Sequence, residues 1–363
     1  MGAIRKVAPF STFVVGSLPR PVWVRELVLE RKAGRIGEAA ADRLLDGAVP
    51  TAVHLQERAG LDYLSDGEWR RESYTRVMSE AVDGFENDLI PVGDPAPPNM
   101  AYPAVVSRLR RRRSLAVGEV SFLRRQTDSW IIVALPSPYV VGWRMWSAEH
   151  SRLAYPTREE FMAACTEIIR DEVRELAGLG VDAIQLDDPD MAMLVDPSYR
   201  ERMGIADVDR EIELSVSCIN GSVEDAGDAF VTVHFCHSHF DRRHTTTGPY
   251  DMIMEALGEM NVDRFAMEFA TPDAGGMDSL RRFPAGKTLG LGVIDHTDRH
   301  VETPEEVVAR AERAMEHVPA GRLTLNPDCG FSPSSLNPTD IDDAYLKLKS
   351  LCAGARLLRE KYG

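Results

Sequence analysis

The sequence predicts an α/β protein whose fold is a closed (β/α)8 barrel, the TIM-barrel architecture, in which eight parallel strands alternate with helices. Two observations support this prediction. Short apolar runs recur along the 363 residues, and each ends in polar residues or glycine. Amphipathic helical patterns lie between most of these runs. An open doubly wound sheet is the alternative, but no G-x-G-x-x-G motif follows the first predicted strand.

The predicted strands and helices follow one another in a regular order. The strands are TFVVGS (12–17), LDYLSDGE (61–68), WIIVALPSP (130–138), VDAIQLDDP (181–189), FVTVHFC (230–236), VDRFAMEFA (262–270), KTLGLGVID (287–295) and RLTLNPDCG (322–330). The most strongly amphipathic helices are predicted at 159–180 and 304–318. The first of these starts after Thr157 with an acidic turn and ends in glycines, which is the expected capping asymmetry.

Residues 84–125 depart from this alternation. They contain GDPAPPNMAYP and the basic run LRRRR at 109–113. We interpret the segment as an insertion that forms a hairpin over the barrel mouth. The arginine run is typical of a solvated face, and contact with an anionic substrate tail is the alternative. Because no internal repeat is visible, we predict a single domain over residues 1–363.

Composition and charge narrow the class of protein. Hydrophobic residues make up 44% of the chain, which is typical of a globular protein with an ample core. The formal net charge of -15 argues against a nucleic-acid partner, since such binding depends on cations that neutralise phosphates. No apolar run reaches the roughly 18 to 20 residues that span a bilayer, and no signal-peptide pattern opens the chain. We therefore expect a cytoplasmic protein with no membrane partner.

The cysteines indicate a thiolate site more than disulfides. There are five of them. An odd number, in a chain expected in a reducing compartment, makes a framework of disulfides unlikely. Cys165, Cys218 and Cys352 fall in helical patterns and are predicted to be ordinary buried thiols. Cys236 and Cys329 instead fall at the ends of predicted strands.

Polar side chains cluster where the predicted strands end. The carboxyl ends of barrel strands form one rim, and that rim carries the active site in (β/α)8 enzymes. Residues distant in sequence are therefore expected to converge there. The predicted rim residues are Ser17, Glu68, Asp187, His234, Cys236, Glu268, Asp295 and Cys329.

The stretch VTVHFCHSHF (231–240) ends one strand with a candidate metal site. His234 and Cys236 are two residues apart, so on a strand they point to the same side. With Cys329 and Glu268 they make four ligands, and such a mixed nitrogen and sulfur set suits Zn²⁺ better than Mg²⁺. The H-x-C motif alone also fits an alternative, in which His234 and Cys236 are ordinary residues of a core strand and bind no metal. Three further histidines are interpreted as surrounding, substrate-facing or surface groups, namely His237, His239 and His244.

The ligand set indicates the chemistry. Zinc held by two thiolates activates water poorly, but it binds an incoming thiol and holds it as a nucleophile at neutral pH. A thiol nucleophile indicates alkyl transfer at sulfur. Glu68 and Asp187 supply a carboxylate pair for an ammonium group, which favours an amino-acid thiol. The backbone N–H groups that follow Ser17 suit a carboxylate, whereas helix N-capping is the alternative role for Asp188.

Ordered motifs through most of the chain resemble the C-terminal catalytic half of cobalamin-independent methionine synthase. They are FVVGSLPRP, QERAGLDYLSDGEWRRE, IQLDDP, VHFC, MEFA, LGLGVID and NPDCGF. The resemblance implies a (β/α)8 barrel with a catalytic zinc on residues matching His234, Cys236, Glu268 and Cys329. It also implies homocysteine as the thiol, methyl transfer from a donor through a zinc-bound thiolate, and methionine as the product. The chain looks like the short, single-barrel members of the family.

The resemblance also assigns the substrate-facing residues. The ammonium of homocysteine is expected at Glu68 and Asp187, with Ser17 near its carboxylate. An ungapped match places the family's proton-donating histidine at Thr297, one residue after His296, so His296 and Asp187 are the predicted catalytic residues. Trp146, together with Trp143 in VVGWRMW, loosely matches the segment that faces the folate.

Three alternatives stay open at this point. The chain departs from the family in HFCHSHF and in Asp187-Asp188-Pro189, so methyltetrahydrofolate, methylcobalamin and another alkyl donor all remain candidates. A zinc-dependent alkyltransferase or C–S lyase acting on another thiol is the second alternative. The third is a protein without this activity, either a metal-free relative of uroporphyrinogen decarboxylase or a non-catalytic zinc- or corrinoid-binding protein.

Overall fold

The structure is a computed structural model that describes residues 7–93, 96, 100–332 and 340–363. Its strands are β1 (Tyr63–Leu64), β2 (Val82–Pro91), β3 (Ala101–Arg111), β4 (Trp130–Pro136), β5 (Ala183–Asp187), β6 (Phe230–Phe235), β7 (His239–Phe240), β8 (Arg243–His244), β9 (Arg264–Met267), β10 (Thr288–Ile294) and β11 (Leu323–Pro327).

Helices occupy most of the sequence between the barrel strands. They are α1 (Val22–Lys32), α2 (Glu38–Ala59), α3 (Arg76–Ala81), α4 (Val117–Leu123), α5 (Pro138–Met145), α6 (Arg158–Gly178), α7 (Pro189–Met193), α8 (Pro197–Arg202), α9 (Val208–Val223), α10 (Met254–Leu257), α11 (Pro304–Met315) and α12 (Ile341–Tyr362). Short 3-10 turns lie at Tyr250–Met252, Pro272–Ala274, Met277–Arg282 and Ala320–Arg322. Within the described ranges, none of the helices combines the length and the apolar character that a membrane crossing requires.

The barrel is closed by the segment around Thr12. Seven strands form one parallel sheet in the order β1, β4, β5, β6, β9, β10, β11. Thr12 makes a parallel bridge to Leu325 in β11, and its carbonyl accepts the N–H groups of Asp62 and Tyr63 at 3.1 Å. The segment predicted as the first strand (12–17) therefore occupies the eighth position of the barrel, where a single bridge joins it to β11. The predicted (β/α)8 barrel is confirmed.

The amino end of the barrel interior is filled. Arg264 at the start of β9 is fully buried, and its guanidinium lies 3.9 Å from the centre of the Phe13 ring. Its Nε donates to the Thr232 hydroxyl at 3.0 Å, and stacking on aromatic faces offsets part of the cost of burying this charge. Space for a ligand is therefore left at the carboxyl end of the strands.

Two threonines fix where long outer helices begin. Thr157 accepts the backbone N–H of Glu160 and caps α6 as predicted. Thr303 and Glu306 form a reciprocal capping box at the start of α11. Such a cap stabilises a helix by about 1 kcal/mol, and it sets the residue at which each strand-to-helix loop ends.

The predicted insertion is an antiparallel hairpin of β2 and β3, followed by α4. Val82 pairs with Arg111 at its base and Pro91 with Ala101 near its tip; part of the predicted GDPAPPNMAYP stretch (94, 95 and 97–99) lies outside the described residues. The arginine run pairs with acidic side chains, as when Arg111 binds Glu175. Arg110 and Arg112 likewise approach Asp83, so three of the four arginines in the run pair with the protein's own carboxylates.

Candidate metal centre

A cavity of about 130 Å³ lies at the carboxyl ends of the strands, where the sequence predicts the active site. Six of the predicted rim residues line it, namely Ser17, Glu68, Asp187, His234, Cys236 and Cys329. Met100 and Tyr102 of the hairpin and Arg144 of α5 line it too. The hairpin thus forms part of the cavity wall, as its predicted position over the mouth requires.

Three metal-binding side chains meet at one side of this cavity. His234 lies in β6, Cys236 is the first residue after that strand, and Cys329 comes two residues after the end of β11. One ligand atom from each lies within 4.8 Å of the other two, and the two sulfur atoms are 3.5 Å apart. All three side chains are buried, and both cysteines are free thiols. The two-residue strand period places His234 and Cys236 on the same side of the chain, and the loop after β11 brings Cys329 to them although β9 and β10 separate β6 from β11 in the sheet.

Asp187 orients the imidazole of His234. The two residues are register partners on β5 and β6, and Asp187 Oδ1 lies 3.2 Å from His234 Nδ1. The same oxygen accepts the side-chain amide of Gln185 at 2.7 Å. His234 Nε2 has no hydrogen-bond partner in the described part of the chain. A carboxylate on one ring nitrogen that leaves the other free is typical of a metal-binding histidine.

The cluster favours one thiolate even before any ion binds. The Cys329 thiol donates a hydrogen bond to the Cys236 sulfur, and this bond, with His234 nearby, lowers the pKa of Cys236 to about 6. The same contact raises the pKa of Cys329 well above its ordinary value. Burial acts to lower the pKa of His234, but Cys236 and Asp187 outweigh it and raise that pKa. Because thiolates are the sulfur form that binds metals, Cys236 is prepared as a ligand.

Glu268, the predicted fourth ligand, is directed elsewhere in this structure. It follows β9 and is fully buried. Its Oε2 accepts the backbone N–H of His237 at 2.8 Å and lies 2.8 Å from His237 Nδ1. Its Oε1 faces Nε2 of His244 at 3.6 Å. Its ligation of the same ion as the thiols therefore stays a prediction, and the histidines of the segment after β6 are its observed neighbours.

Glu68 is held in the cavity by an unusual backbone. Its φ of 57° lies in the left-handed region, and its N–H donates to Asp66 Oδ1 at 2.8 Å. Arg71 approaches its carboxylate at 3.5 Å. Burial raises the pKa of Glu68 to about 7, Arg71 opposes that shift, and Asp187 adds to it. The two predicted ammonium-binding carboxylates therefore share one cavity and repel each other until a cation enters.

Ser17 lies against the loop that carries Cys329. Its hydroxyl oxygen accepts the N–H of Ser332 at 3.1 Å. A Cβ on Gly330 would lie 2.8 Å from that oxygen, so the two chain segments pack as closely as glycine allows. The hydroxyl proton of Ser17 is left to donate to a ligand.

His296 and Trp146 lie outside the cavity lining. The centre of the His296 ring lies 4.1 Å from that of His239, and the two rings are tilted by 54°. Neither nitrogen of His296 has a hydrogen bond within the residues that the structure describes. The indole N–H of Trp146 donates to the carbonyl of Tyr155 at 3.0 Å. The predicted roles of these two residues in catalysis and substrate contact stay predictions.

Arg144, two residues before Trp146, lines the cavity in place of that tryptophan. The sequence analysis did not predict this residue. Its guanidinium lies 5.3 Å from the ring centre of Tyr74 and 5.6 Å from that of Tyr102. Its Nε donates to Asp190 at 2.9 Å. Arg144 lies in VVGWRMW between the two tryptophans predicted to face the folate, whereas Tyr102 belongs to an insertion that has no strand-end pattern.

Asp188 takes the alternative role considered for it. Its side chain accepts the N–H of Met191 and caps α7, and the Ser215 hydroxyl donates to it at 2.5 Å. It is fully buried and is absent from the cavity lining. Of the two adjacent aspartates, only Asp187 faces the cavity.

Comparison with known proteins gives one consistent result. The sequence pattern described as "Cobalamin-independent synthase, Catalytic domain" matches residues 10–342. A methionine synthase of Pyrococcus abyssi (strain GE5 / Orsay) is 30% identical over 352 residues, covering 96% of this chain and 93% of that protein. A methionine synthase of Saccharolobus solfataricus is 26% identical over 361 residues, covering 98% of this chain and 97% of that protein.

The solved structures agree at the level of the fold. A B12-independent methionine synthase from Shewanella sp. W3-18-1, in complex with selenomethionine, superposes with a TM-score of 0.80 at 23% identity and covers 98% of this chain and 99% of that chain. The resemblance found in the sequence motifs is thus confirmed independently over almost the whole chain. The chain belongs to the cobalamin-independent methionine synthase family and matches its catalytic domain.

Proposed function

We propose that this protein is a methyltransferase that moves a methyl group from a donor to the thiol of homocysteine and so forms methionine, with Zn²⁺ as its metal. Family membership supports the reaction. The observation that carries the proposal for this chain is the meeting of His234, Cys236 and Cys329 in a cavity that two carboxylates also line.

The ligand set fits Zn²⁺. One imidazole nitrogen and two cysteine sulfurs are ligands that Zn²⁺ commonly takes, and His234 Nε2 and the Cys236 sulfur are already prepared to bind a cation. When bound, Zn²⁺ lowers the pKa of a substrate thiol and makes it a thiolate at neutral pH. We propose the three-residue set as the core of the site, with Glu268 as the predicted fourth ligand.

The remaining cavity residues hold and orient the acceptor. Glu68 and Asp187 bind the substrate ammonium, which relieves the repulsion between their carboxylates. Ser17 donates its hydroxyl proton to the substrate carboxylate. Fixing both ends of the amino acid directs its thiol to the cysteines, and such positioning lowers the entropic cost of bringing the thiol to the donor.

The donor meets the wall formed by Tyr74, Tyr102 and Arg144. Two phenol rings beside a guanidinium suit a planar group with an anionic tail. A methylated folate has this chemistry, so it is the first donor to test. Methylcobalamin and simpler alkyl donors are the comparison compounds.

The test is an assay of purified, zinc-loaded protein with homocysteine and each donor, in which methionine is quantified by mass spectrometry. We expect methionine with at least one donor, together with loss of zinc and of turnover in Cys329→Ser. Cys218→Ser is the matched control, because Cys218 is a buried thiol in α9 that does not line the cavity. Full zinc content and full activity in Cys329→Ser would rule out the proposed site.

A further inference from the structure

A buried ion pair lies behind the carboxylate of Glu68, and the sequence analysis gives neither of its residues a role. Arg71 follows Glu68 by three residues, and Glu119 lies in α4, at the end of the insertion of residues 84–125. The two side chains are 2% and 10% exposed. Arg71 Nε donates to one oxygen of Glu119 at 3.0 Å, and Nη2 donates to the other at 2.6 Å. The insertion therefore contributes a charge next to the cavity as well as part of its wall.

The guanidinium of Arg71 is held closer to Glu119 than to Glu68. Its Nη1 donates to the carbonyl of Ala134 in β4 at 2.8 Å, and the same nitrogen is 3.5 Å from Glu68 Oε1. A charge-assisted N–H···O bond is ordinarily about 2.7 to 2.9 Å long. Three short bonds thus fix the planar group in place, and its contact with the cavity carboxylate is the longest of the four.

Glu68 is fixed by contacts on its other sides. A Cβ on Gly16 would lie 3.2 Å from Glu68 Oε1, so the backbone at Gly16 packs against this oxygen. Arg20 Nη2 donates to the Glu68 carbonyl at 2.7 Å. Because the glutamate is held in this way, the distance between its carboxylate and the guanidinium depends mainly on where Arg71 lies.

The charges around Glu68 show why that distance matters. Burial raises the pKa of Glu68 to about 7; Arg71 and Arg20 act against this shift, and the carboxylates of Asp187 and Asp66 add to it. A short contact with Arg71 would hold Glu68 ionised but would also occupy its charge, and the arginine would then compete with any cation in the cavity. At 3.5 Å the carboxylate is only partly neutralised and stays available to a ligand.

We propose that Glu119 is a positioning residue for homocysteine: it holds Arg71 back from Glu68 and so keeps the Glu68 carboxylate available for the substrate ammonium. The inference rests on the proposed function in one step, the binding of that ammonium by Glu68. The division of the guanidinium between Glu119 and Glu68 does not depend on the identity of the substrate.

Glu119→Gln tests the proposal, because it keeps the side-chain shape and removes the charge that holds Arg71. Among the described residues, Glu68 is then the one carboxylate left in contact with the guanidinium. The titration of Glu68 is followed by carbon-13 NMR of the zinc-loaded protein without substrate, and its signal is identified by its absence in Glu68→Gln. We expect the pKa of Glu68 in Glu119→Gln to lie about one pH unit or more below the wild-type value. The KM for homocysteine should rise about 10-fold, with kcat and zinc content unchanged.

A double variant and a matched control separate positioning from a general structural effect. In Glu68→Gln, addition of Glu119→Gln should raise the KM no further, because Arg71 has no carboxylate left to occupy. Glu211→Gln is the control, since Glu211 is a similarly buried partner of an arginine, Arg158, and does not line the cavity. It should leave both the pKa of Glu68 and the KM at their wild-type values.

The outcomes distinguish this proposal from the binding role of Glu68. A wild-type pKa of Glu68 in Glu119→Gln, or a further rise of KM in the double variant, would overturn the positioning role. A wild-type KM in Glu68→Gln would instead refute the binding of the ammonium by Glu68.

A second variant covers the case in which circular dichroism shows that Glu119→Gln does not fold. Arg71→Met combined with Glu119→Met replaces the buried pair by apolar side chains, a change that folded proteins often tolerate. The pKa of Glu68 should then rise, because Arg71 no longer favours its ionised form. An unchanged pKa in this double variant would also overturn the proposal.

Discussion

Replacement of Glu68 by glutamine removes one negative charge from the cavity and keeps the side-chain shape. Glu68 is buried, contacts Arg71 at 3.5 Å and shares the cavity with Asp187. Arg71 retains its two-pronged contact with Glu119, at 3.0 and 2.6 Å, when the Glu68 charge is lost. The variant therefore changes the charge available to a substrate ammonium without leaving a buried arginine unpaired.

The negative charge of Glu68 has two opposite effects: it destabilises the folded protein, and it strengthens binding of the substrate ammonium. The pKa of Glu68 is raised from 4.5 to about 7, chiefly by burial. At about 1.4 kcal/mol for each unit, ionised Glu68 destabilises the folded protein by about 3 kcal/mol. Because this carboxyl binds its proton more tightly in the folded state, the penalty is absent below about pH 4.5 and complete above about pH 7. Loss of a charged hydrogen bond costs binding about 1.5 to 3 kcal/mol, or about 10- to 150-fold.

We therefore expect Glu68→Gln to be more stable than the wild type at pH 8, and equally stable near pH 4, in urea unfolding of the metal-free protein. Its KM for homocysteine should rise about 10- to 150-fold, with zinc content unchanged. The wild-type affinity should weaken as the pH falls below about 7, where Glu68 takes up a proton, whereas the variant should lack this dependence. Glu72→Gln is the control, since Glu72 binds Lys32 away from the cavity. A variant that is less stable at pH 8, or that keeps the wild-type KM, would refute the reasoning.

Two further substitutions test the support of the metal ligand and a helix cap. Asp187→Asn should lower zinc affinity about 10- to 100-fold in a competition with a chelator, because the carboxylate that orients His234 is lost; unchanged affinity would mean that the contact is incidental. Thr303→Ala should lower the free energy of unfolding by about 1 kcal/mol without altering turnover, since it removes the capping box of α11; a loss of activity at full stability would contradict a purely structural role.

Much of the cavity could be predicted because barrel topology fixes it. Where a strand ends decides which residues reach the rim, and the strand period decides which side they face. These two rules were sufficient for His234, Cys236 and Cys329, which come from two strands about 90 residues apart and still meet. They were sufficient for Glu68 and Asp187 as well, although the strand before Glu68 is only two residues long.

The rest depends on irregular backbone, which has no periodic signature. The direction of Glu268 is set by contacts with His237 and His244, whose positions follow from positive φ angles at Ser238, Asp241 and Arg242. Such angles are uncommon for residues with a Cβ, so sequence alone gave no reason to expect the reversal there. Residues after a helix end are similarly unconstrained, and Trp146 turns to a nearby carbonyl while the helix directs Arg144 into the cavity.

The two carboxylate oxygens of Asp187 have different surroundings, and under the proposed function this difference would connect binding of the substrate ammonium to the metal ligand His234. The contacts with Gln185 and with His234 are both made to Oδ1, which leaves Oδ2 to face an ammonium in the cavity. An ammonium at Oδ2 withdraws charge from the carboxylate and so weakens its hold on His234 Nδ1. The imidazole then becomes a poorer electron donor to any ion at Nε2, and a more electron-poor ion binds an incoming thiol more strongly. Under the proposed function, the side chain proposed to bind the amino acid would therefore also favour capture of its sulfur.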